Sequence, residues 1–194
     1  MARTKKPTPA RKALLQTAGD LFYGEGIRAV GVDAITSRSG VALMTLYNHF
    51  GSKDELVVAY LRERSDRFRE WLQAQLAELA GPPNDRVLGI VDVFADYLAA
   101  PRFRGCAFVN ATVEFPDRDH PVHTVVAEHK RAVREILAQH VKDAGFENPE
   151  RLAAQLMVVI EGLQVTALLD SAAEATERAR AIVAVLVSQH ARRR

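Results

Sequence analysis

Histidine, cysteine and acidic side chains are the residues of this sequence that could carry out chemistry. Three histidines and an acid gather between Glu114 and His129, and His120 and His123 are three positions apart, a spacing that can put two metal ligands on one side of a helix. His129 does not share their face, and a single cysteine leaves no second thiolate for a metal site. Nucleophile–base arrangements, metal motifs and phosphate loops are not found. The sequence therefore predicts no enzyme, no bound metal and no cofactor.

Cys106 is the one cysteine, and it follows Arg104-Gly105 at the start of a predicted helix. Arginine and a helix N-terminus both favour a reactive thiolate, so a sensor of oxidants or electrophiles is one interpretation. A lone cysteine is more commonly packed as a small apolar residue. No intrachain disulfide is possible, which fits a reducing cytosol, and we expect a cytoplasmic protein without a secretory signal.

Positive charge is concentrated at one end of the chain. Residues 1–53 hold eight basic and three acidic side chains, a net charge of +5, whereas the remaining 18 basic and 21 acidic residues give −3. This asymmetry is typical of a nucleic-acid-binding region, although a solvated basic tail would carry the same charge. Arg3, Lys5 and Lys6 could form an arm that follows the DNA backbone or enters the minor groove.

Helical periodicity recurs along the whole sequence, and strict alternation of apolar and polar residues does not occur, which predicts an all-α protein. Two short helices, at about 32–39 and 43–50, flank Gly40. A helix starting at Pro9 precedes them, and a long helix opened by Ser52 and Glu55 follows. This order predicts a helix-turn-helix, whose second helix fits the major groove of DNA.

The sequence resembles the DNA-binding domain of the TetR family from about Arg11 to Leu56. The resemblance is carried by Val32-Asp33-Ala34-Ile35, Gly40-Val41, Thr45-Leu46-Tyr47-Asn48-His49-Phe50 and Ser52-Lys53-Asp54-Glu55-Leu56. It implies a three-helix DNA-binding domain over residues 1–53 and a helical ligand-binding and dimerisation domain over residues 54–194.

The resemblance also implies roles for individual positions. Thr45, Tyr47 and His49 align with residues that contact phosphates or bases, and Lys53 aligns with a lysine that contacts phosphate. The positions that vary with the operator sequence are Ala42, Leu43, Met44 and Asn48. Gly31 stands where Thr or Ser usually caps the second helix, and Ala42 replaces a small hydroxyl residue. Because both departures remove a hydroxyl, we expect backbone amides to make more of the phosphate contacts.

The C-terminal half contains two strongly apolar helices. The stretch Leu152–Leu169 is interrupted by Gln155, Glu161 and Gln164, so it predicts a buried helix rather than a membrane span. It is apolar around most of its circumference and must be covered on more than one side. Paired with the last helix across a two-fold axis, it would form a four-helix interface, so we expect a homodimer.

A mostly apolar ligand pocket is predicted among the helices that span residues 85–170. Its polar points would be Asn110, Glu114, His129, Glu161 and Gln164, although Glu161 and Gln164 could instead hydrogen-bond across the dimer. The function that follows is a repressor that binds operator DNA as a homodimer and releases it when a small effector binds. Alternatives are a thiol- or metal-responsive repressor using Cys106 or the His120/His123 region, an architectural DNA-binding protein without a ligand and, more remotely, a helical enzyme.

Overall fold

The computed structural model describes residues 8–190. All elements of secondary structure assigned in that range are α-helices. The helices are α1 Pro9–Glu25, α2 Val32–Ser39, α3 Leu43–Phe50, α4 Lys53–Ala77, α5 Pro83–Leu98, α6 Ala107–Glu114, α7 Pro121–Asp143, α8 Pro149–Leu169 and α9 Ala172–Gln189. The all-α prediction is confirmed. The proposed basic arm of Arg3, Lys5 and Lys6 lies outside the described residues.

Local start signals set several helix boundaries. The Thr8 side chain accepts the Arg11 N–H at 3.2 Å, with Pro9 in the first turn of α1. Ser52 Oγ accepts the Glu55 N–H at 3.1 Å at the start of α4. This bond is the Ser52 half of the predicted capping box.

The first of two compact units takes in the described residues up to Ser65 together with Ala107–Val126. In it α1 packs against both α2 and α3. Its interior is apolar and includes the fully buried side chains of Leu14, Ile35, Leu46, Leu56 and Leu61. Burial of such side chains, at about 25 cal/mol per Å², is the main force that holds three short segments together.

The second unit takes in Asp66–Cys106 and the described residues from Ala127 onwards. In this unit α9 packs against α8 and α5, around a core that contains Ile90, Leu137, Phe146 and Leu156. α4 and α7 each continue along the chain from one unit into the other. The predicted division into residues 1–53 and 54–194 stays a prediction.

The helix Pro149–Leu169 is long and apolar enough to cross a membrane by length and composition alone, and 33% of its most apolar window is buried within the chain. The core helix of a soluble protein meets the same criteria. Leu152, Leu156, Ile160 and Leu163 of this helix belong to the core of the second unit.

His140 is buried near the end of α7. Its Nε2 lies 3.2 Å from the Arg86 carbonyl oxygen, to which the neutral ring donates. Burial lowers the pKa of His140, and the Arg86 guanidinium adds to that effect, while the hydrogen bond to the Arg86 carbonyl and the Asp143 carboxylate oppose it. The protein therefore holds His140 in its neutral form.

Stability should fall on acidification in part through His140. In the unfolded chain the histidine titrates near its ordinary pKa of about 6.5. The contribution of neutral His140 to the free energy of unfolding is therefore complete above that pH, and it is lost as pH falls towards the lower pKa of the folded state. His140→Gln keeps an N–H donor that does not titrate. We expect its urea midpoint to fall less than the wild-type midpoint between pH 8 and pH 5. Other titrating groups cancel in the difference between the two proteins, and two parallel profiles would contradict the assignment.

Candidate nucleic-acid interface

The short helix α3 has two different faces. Leu46 and Phe50 point inwards and are 0% and 4% exposed. Leu43, Met44, Tyr47 and Asn48 are exposed, and Met44 reaches 70%. Positions 43, 44, 47 and 48 share one side of a helix, so α3 presents a continuous outer face made of predicted DNA-contacting residues.

Packing against α1 and α2 fixes the inner face of α3. Ile35 of α2 is fully buried, and Val41 is half-buried in the turn between the two helices. Gly40 ends α2 in the left-handed conformation at φ 68°, which glycine adopts without steric cost. The Arg11 guanidinium of α1 lies 5.1 Å from the centre of the Phe50 ring, so the Arg11 side chain covers this core.

The N-termini of α2 and α3 lack side-chain caps. Gly31 and Ala42 occupy the N-cap positions with extended backbone, and neither makes a side-chain capping hydrogen bond. The first N–H groups of a helix have no partner within it, and together with the helix dipole they attract anions. Both short helices therefore begin with amides suited to a phosphate.

Two further predicted contact residues flank this face. The His49 ring lies with Nε2 3.1 Å from the Thr8 hydroxyl, so the cap of α1 also orients a residue of α3. Lys53 is half-buried at the first position of α4. Burial lowers its pKa, and the Arg28 guanidinium acts in the same direction, while the Asp54 and Glu114 carboxylates oppose the shift. Thr45 is half-buried on α3.

The five predicted ligand residues are divided between the two units. Asn110 and Glu114 lie on α6 in the first unit. Asn110 is exposed, whereas Glu114 is half-buried and accepts hydrogen bonds from the backbone N–H groups of Ile27 and Arg28. The ligand-binding roles of both residues stay predictions.

The other three residues lie in the second unit. His129 is 4% exposed, and its ring packs edge-on against Phe68 with ring centres 5.5 Å apart. Gln164 is buried, and Glu161 accepts a hydrogen bond from Lys130. The same Lys130 ammonium lies 3.3 Å from the Cys106 sulfur. Burial alone would lower the pKa of Lys130, but Cys106 and Glu161 together hold it above its ordinary value.

The sequence does not identify Lys130 as a functional residue, because its position among charged residues on a predicted helix is typical of a solvated side chain. Only its apposition to Glu161 on another helix distinguishes it, and the two residues are 31 positions apart. The ammonium offsets the cost of placing the Glu161 carboxylate on an apolar helix.

The histidines considered as metal ligands make other contacts. His120 stacks on Phe115 and lies 3.4 Å from the Asp54 carboxylate, and His123 Nε2 donates to the Phe115 carbonyl at 2.7 Å. Among residues 8–190, no group of three or more His, Cys, Asp or Glu side chains is arranged to hold a metal ion.

An open groove of about 570 Å³ lies between α4 and α7 in the second unit. Its lining is largely polar and consists of Asp66, Arg69, Glu70, Gln73, Ala132, Glu135, Ile136 and Gln139. None of the five predicted ligand residues lines it, and it is unlike the apolar pocket predicted from the sequence.

Two family models match the chain. The model described as bacterial regulatory proteins of the tetR family matches residues 14–60, the segment that contains α2, α3 and the start of α4. The model of the tetracyclin repressor-like C-terminal domain matches residues 83–183. The chain belongs to the TetR family.

Relatives and solved structures agree with this assignment. The crystal structure of a TetR-family transcriptional regulator from Streptomyces coelicolor is 32% identical, covers 93% of this chain and 96% of its own, and superposes with a TM-score of 0.82. The regulator BetI of Rhizobium meliloti is 26% identical and covers 94% of this chain and 89% of its own length. The Escherichia coli repressor ComR is 28% identical and covers 81% and 79%.

TetR membership settles the general function. The chain is a DNA-binding transcriptional regulator and not an enzyme. The predicted all-α architecture, with an N-terminal helix-turn-helix and a helical C-terminal domain, is confirmed. TetR-family regulators bind operator DNA, typically as dimers that respond to small-molecule effectors.

Proposed function

We propose that this TetR-family chain is a cytoplasmic, ligand-responsive transcriptional repressor that binds operator DNA as a homodimer. The observation that carries the proposal is the outer face of α3, whose exposed side chains surround Met44 while Leu46 and Phe50 anchor the helix from within. The relatives ComR and KstR2 are named as repressors and the relative FasR as an activator, and the proposal of repression follows the first two.

In this proposal α3 enters the major groove. Met44, Leu43 and Asn48 face base edges, where an apolar side chain can contact a thymine methyl and an amide can hydrogen-bond adenine. Phosphates are held by Thr45, Tyr47, His49 and Lys53 and by the uncapped amides that follow Gly31 and Ala42. The arrangement of α2 and α3 supports these roles, since both helices begin without a side-chain cap.

Replacing Lys53 should reduce the salt dependence of DNA binding. Each lysine–phosphate contact contributes about 0.9 to the slope of log Kd against log salt, so Lys53→Gln should lower the slope of a dimer by about 2. Affinity should fall by about tenfold or more on both selected and random DNA, because a phosphate contact carries no sequence information. Fluorescence anisotropy with a duplex selected from random DNA by the wild-type chain measures both quantities.

Lys142→Gln is the matched control, since Lys142 is an exposed lysine on α7 in the second unit. Its slope and affinity should equal those of the wild type. Equal slopes for Lys53→Gln and wild type would contradict the phosphate contact. Failure of the wild type to select any duplex would overturn the proposed function itself.

The exposed apolar residues of α8 and α9 support a homodimer. They are Val158, Val165, Leu168 and Leu169 on α8 and Ile182 and Val185 on α9, all between 48% and 80% exposed. The two helices pack against each other within the chain. Large apolar side chains exposed on two packed helices are unfavourable in water, and a second copy of the chain can bury them in a four-helix interface.

A charge introduced on this surface should dissociate the dimer. In Val165→Glu, a two-fold interface would bury two carboxylates without partners, at a cost of several kcal/mol each. Sedimentation velocity at about micromolar concentration should show dimers for the wild type and monomers for the variant. Val113→Glu, at a position 78% exposed on α6, is the control and should remain dimeric. A monomeric wild type, or a dimeric Val165→Glu, would contradict this interface.

The effector site is proposed in the second unit around His129. The Phe68 ring packs against Trp71, Tyr97 and His129 with ring centres 5.3–5.5 Å apart, and all four side chains come from α4, α5 and α7. A cluster of aromatic side chains with few polar groups suits a small apolar or aromatic molecule. Gln164 and Glu161 supply further polar points. A thiol-responsive form of this proposal uses Cys106, whose sulfur lies 3.3 Å from the Lys130 ammonium.

Effector binding would lower DNA affinity if the effector prefers a conformation in which the distance between the two recognition helices of the dimer does not match the spacing of the two half-sites. A preference of about 1.4 kcal/mol changes operator affinity tenfold for each coupled site. We propose α4 as the element that moves, because it starts at Lys53 next to the recognition helix and continues into the second unit.

A further inference from the structure

The carboxylate of Glu114 holds the backbone of a turn that is 86 residues away in sequence. Glu114 is the last residue of α6, and its Oε1 accepts the Ile27 N–H at 3.0 Å while its Oε2 accepts the Arg28 N–H at 2.6 Å. These amides belong to the turn between α1 and α2. A carboxylate that accepts two backbone N–H groups forms charge-assisted hydrogen bonds, which are stronger than neutral ones.

The contact is reciprocal. The Arg28 side chain donates from Nε to the Glu114 carbonyl oxygen, which as a helix-terminal carbonyl lacks a partner within its own helix. The Arg28 guanidinium also lies 5.9 Å from the centre of the Phe115 ring. Gly26 precedes the two bound amides at φ 98°, a conformation that lets the turn present both N–H groups to one carboxylate.

The residues after Glu114 hold the opposite end of the DNA-binding helices. His120 stacks on Phe115 with ring centres 4.2 Å apart, and its Nδ1 accepts the Val122 N–H at 3.3 Å. In the neutral ring the proton is then on Nε2, which lies 3.4 Å from the carboxylate of Asp54 in the first turn of α4. The segment from Glu114 to His120 therefore contacts both the entry to α2 and the exit from α3.

We infer that Glu114 is a positioning residue for DNA binding: by fixing the Ile27–Arg28 turn, its carboxylate sets the placement of α2 and, through α2, of the recognition helix α3. α2 has a single buried apolar residue, Ile35, and starts four residues after Arg28, so its placement depends on the turn that leads into it. Binding groups must be held to within about 0.5 Å of the productive geometry.

The inference rests on the proposed function and adds a connection to it. α6 lies within residues 83–183, which match the model of the C-terminal domain, whereas the turn lies within residues 14–60, which match the other model. Withdrawal of Glu114 would leave two amides without their acceptor and free the turn to change conformation. The Glu114 carboxylate thus joins these two matched parts of the chain at the turn before α2.

Glu114→Gln tests the inference in the full-length protein. The amide keeps the size of the side chain, but its NH₂ group is a donor and faces a backbone N–H. If the DNA-competent placement then persists in about one molecule in ten, the Kd for the selected duplex rises about tenfold. The slope of log Kd against log salt should not change, since no phosphate contact is removed. The ¹H–¹⁵N resonances of Ile27 and Arg28 should shift in the free protein.

Glu147→Gln is the control, because it makes the same change of charge at an exposed position before α8. Its Kd should match the wild type. Glu114→Asp, whose carboxylate is one methylene shorter, retains the charge and should also weaken binding about tenfold, so it replaces Glu114→Gln if that variant does not fold. Shifted resonances with a Kd within about twofold of wild type would show that Glu114 has only a structural role, and would overturn the inference. Unshifted resonances of Ile27 and Arg28 would overturn it too, because the turn would then not depend on the Glu114 carboxylate. Absence of DNA binding by the wild type would instead overturn the proposed function, and the inference with it.

Discussion

A helix of eight residues does not persist alone in water, and this constraint governs how the recognition helix is built. Nucleation is costly, and isolated helices need about 12–15 residues to be even marginally stable. α3 spans only Leu43–Phe50, so its stability comes from the burial of Leu46 and Phe50 against α1 and α2. α2 is equally short and buries only Ile35. The DNA-binding helices are therefore positioned by their neighbours rather than by their own propensity.

The same constraint explains why the outer face of α3 departs from ordinary surface rules. Met44, Leu43 and Tyr47 are large side chains left exposed, and the N-terminus of the helix has no side-chain cap. Each feature costs stability in a free protein. Departures from local rules are expected where a sequence must serve a binding partner, and here all of them lie on one face. The features that weaken α3 in isolation are those that suit it to a groove lined with phosphates and base edges.

Sequence reasoning identified the features that are local along the chain. The helix starts at Pro9 and after Ser52 are predicted from local signals. In both cases a hydroxyl before the helix, from Thr8 or Ser52, caps the first turn with a hydrogen bond. For Leu46 and Phe50 the family resemblance implies internal packing, and both are buried. The bounds predicted for the two short helices, about 32–39 and 43–50, agree with those of α2 and α3, and Gly40 ends α2.

Features that depend on distant contacts could not be predicted in this way. Glu114 is predicted as a polar point of the ligand pocket because it is isolated among apolar residues, but no sequence signal points to the Ile27 and Arg28 amides. Lys130 is an ordinary surface residue by pattern, and only the fold brings it to Cys106 and Glu161. Pairing over such separations is decided by tertiary packing, which leaves no periodic or local trace in the sequence.

The most direct test of the account is whether the outer face of α3 touches bases. A photo-crosslinking amino acid at Met44, 70% exposed on α3, should crosslink to bases within each half-site of the selected duplex. The same amino acid at Val113, 78% exposed on α6, should give no crosslink. The two crosslinked positions should lie about one helical turn, roughly 10 base pairs, apart or at a multiple of it. Crosslinking from Val113 but not from Met44, or from neither position while the duplex stays bound, would contradict the account.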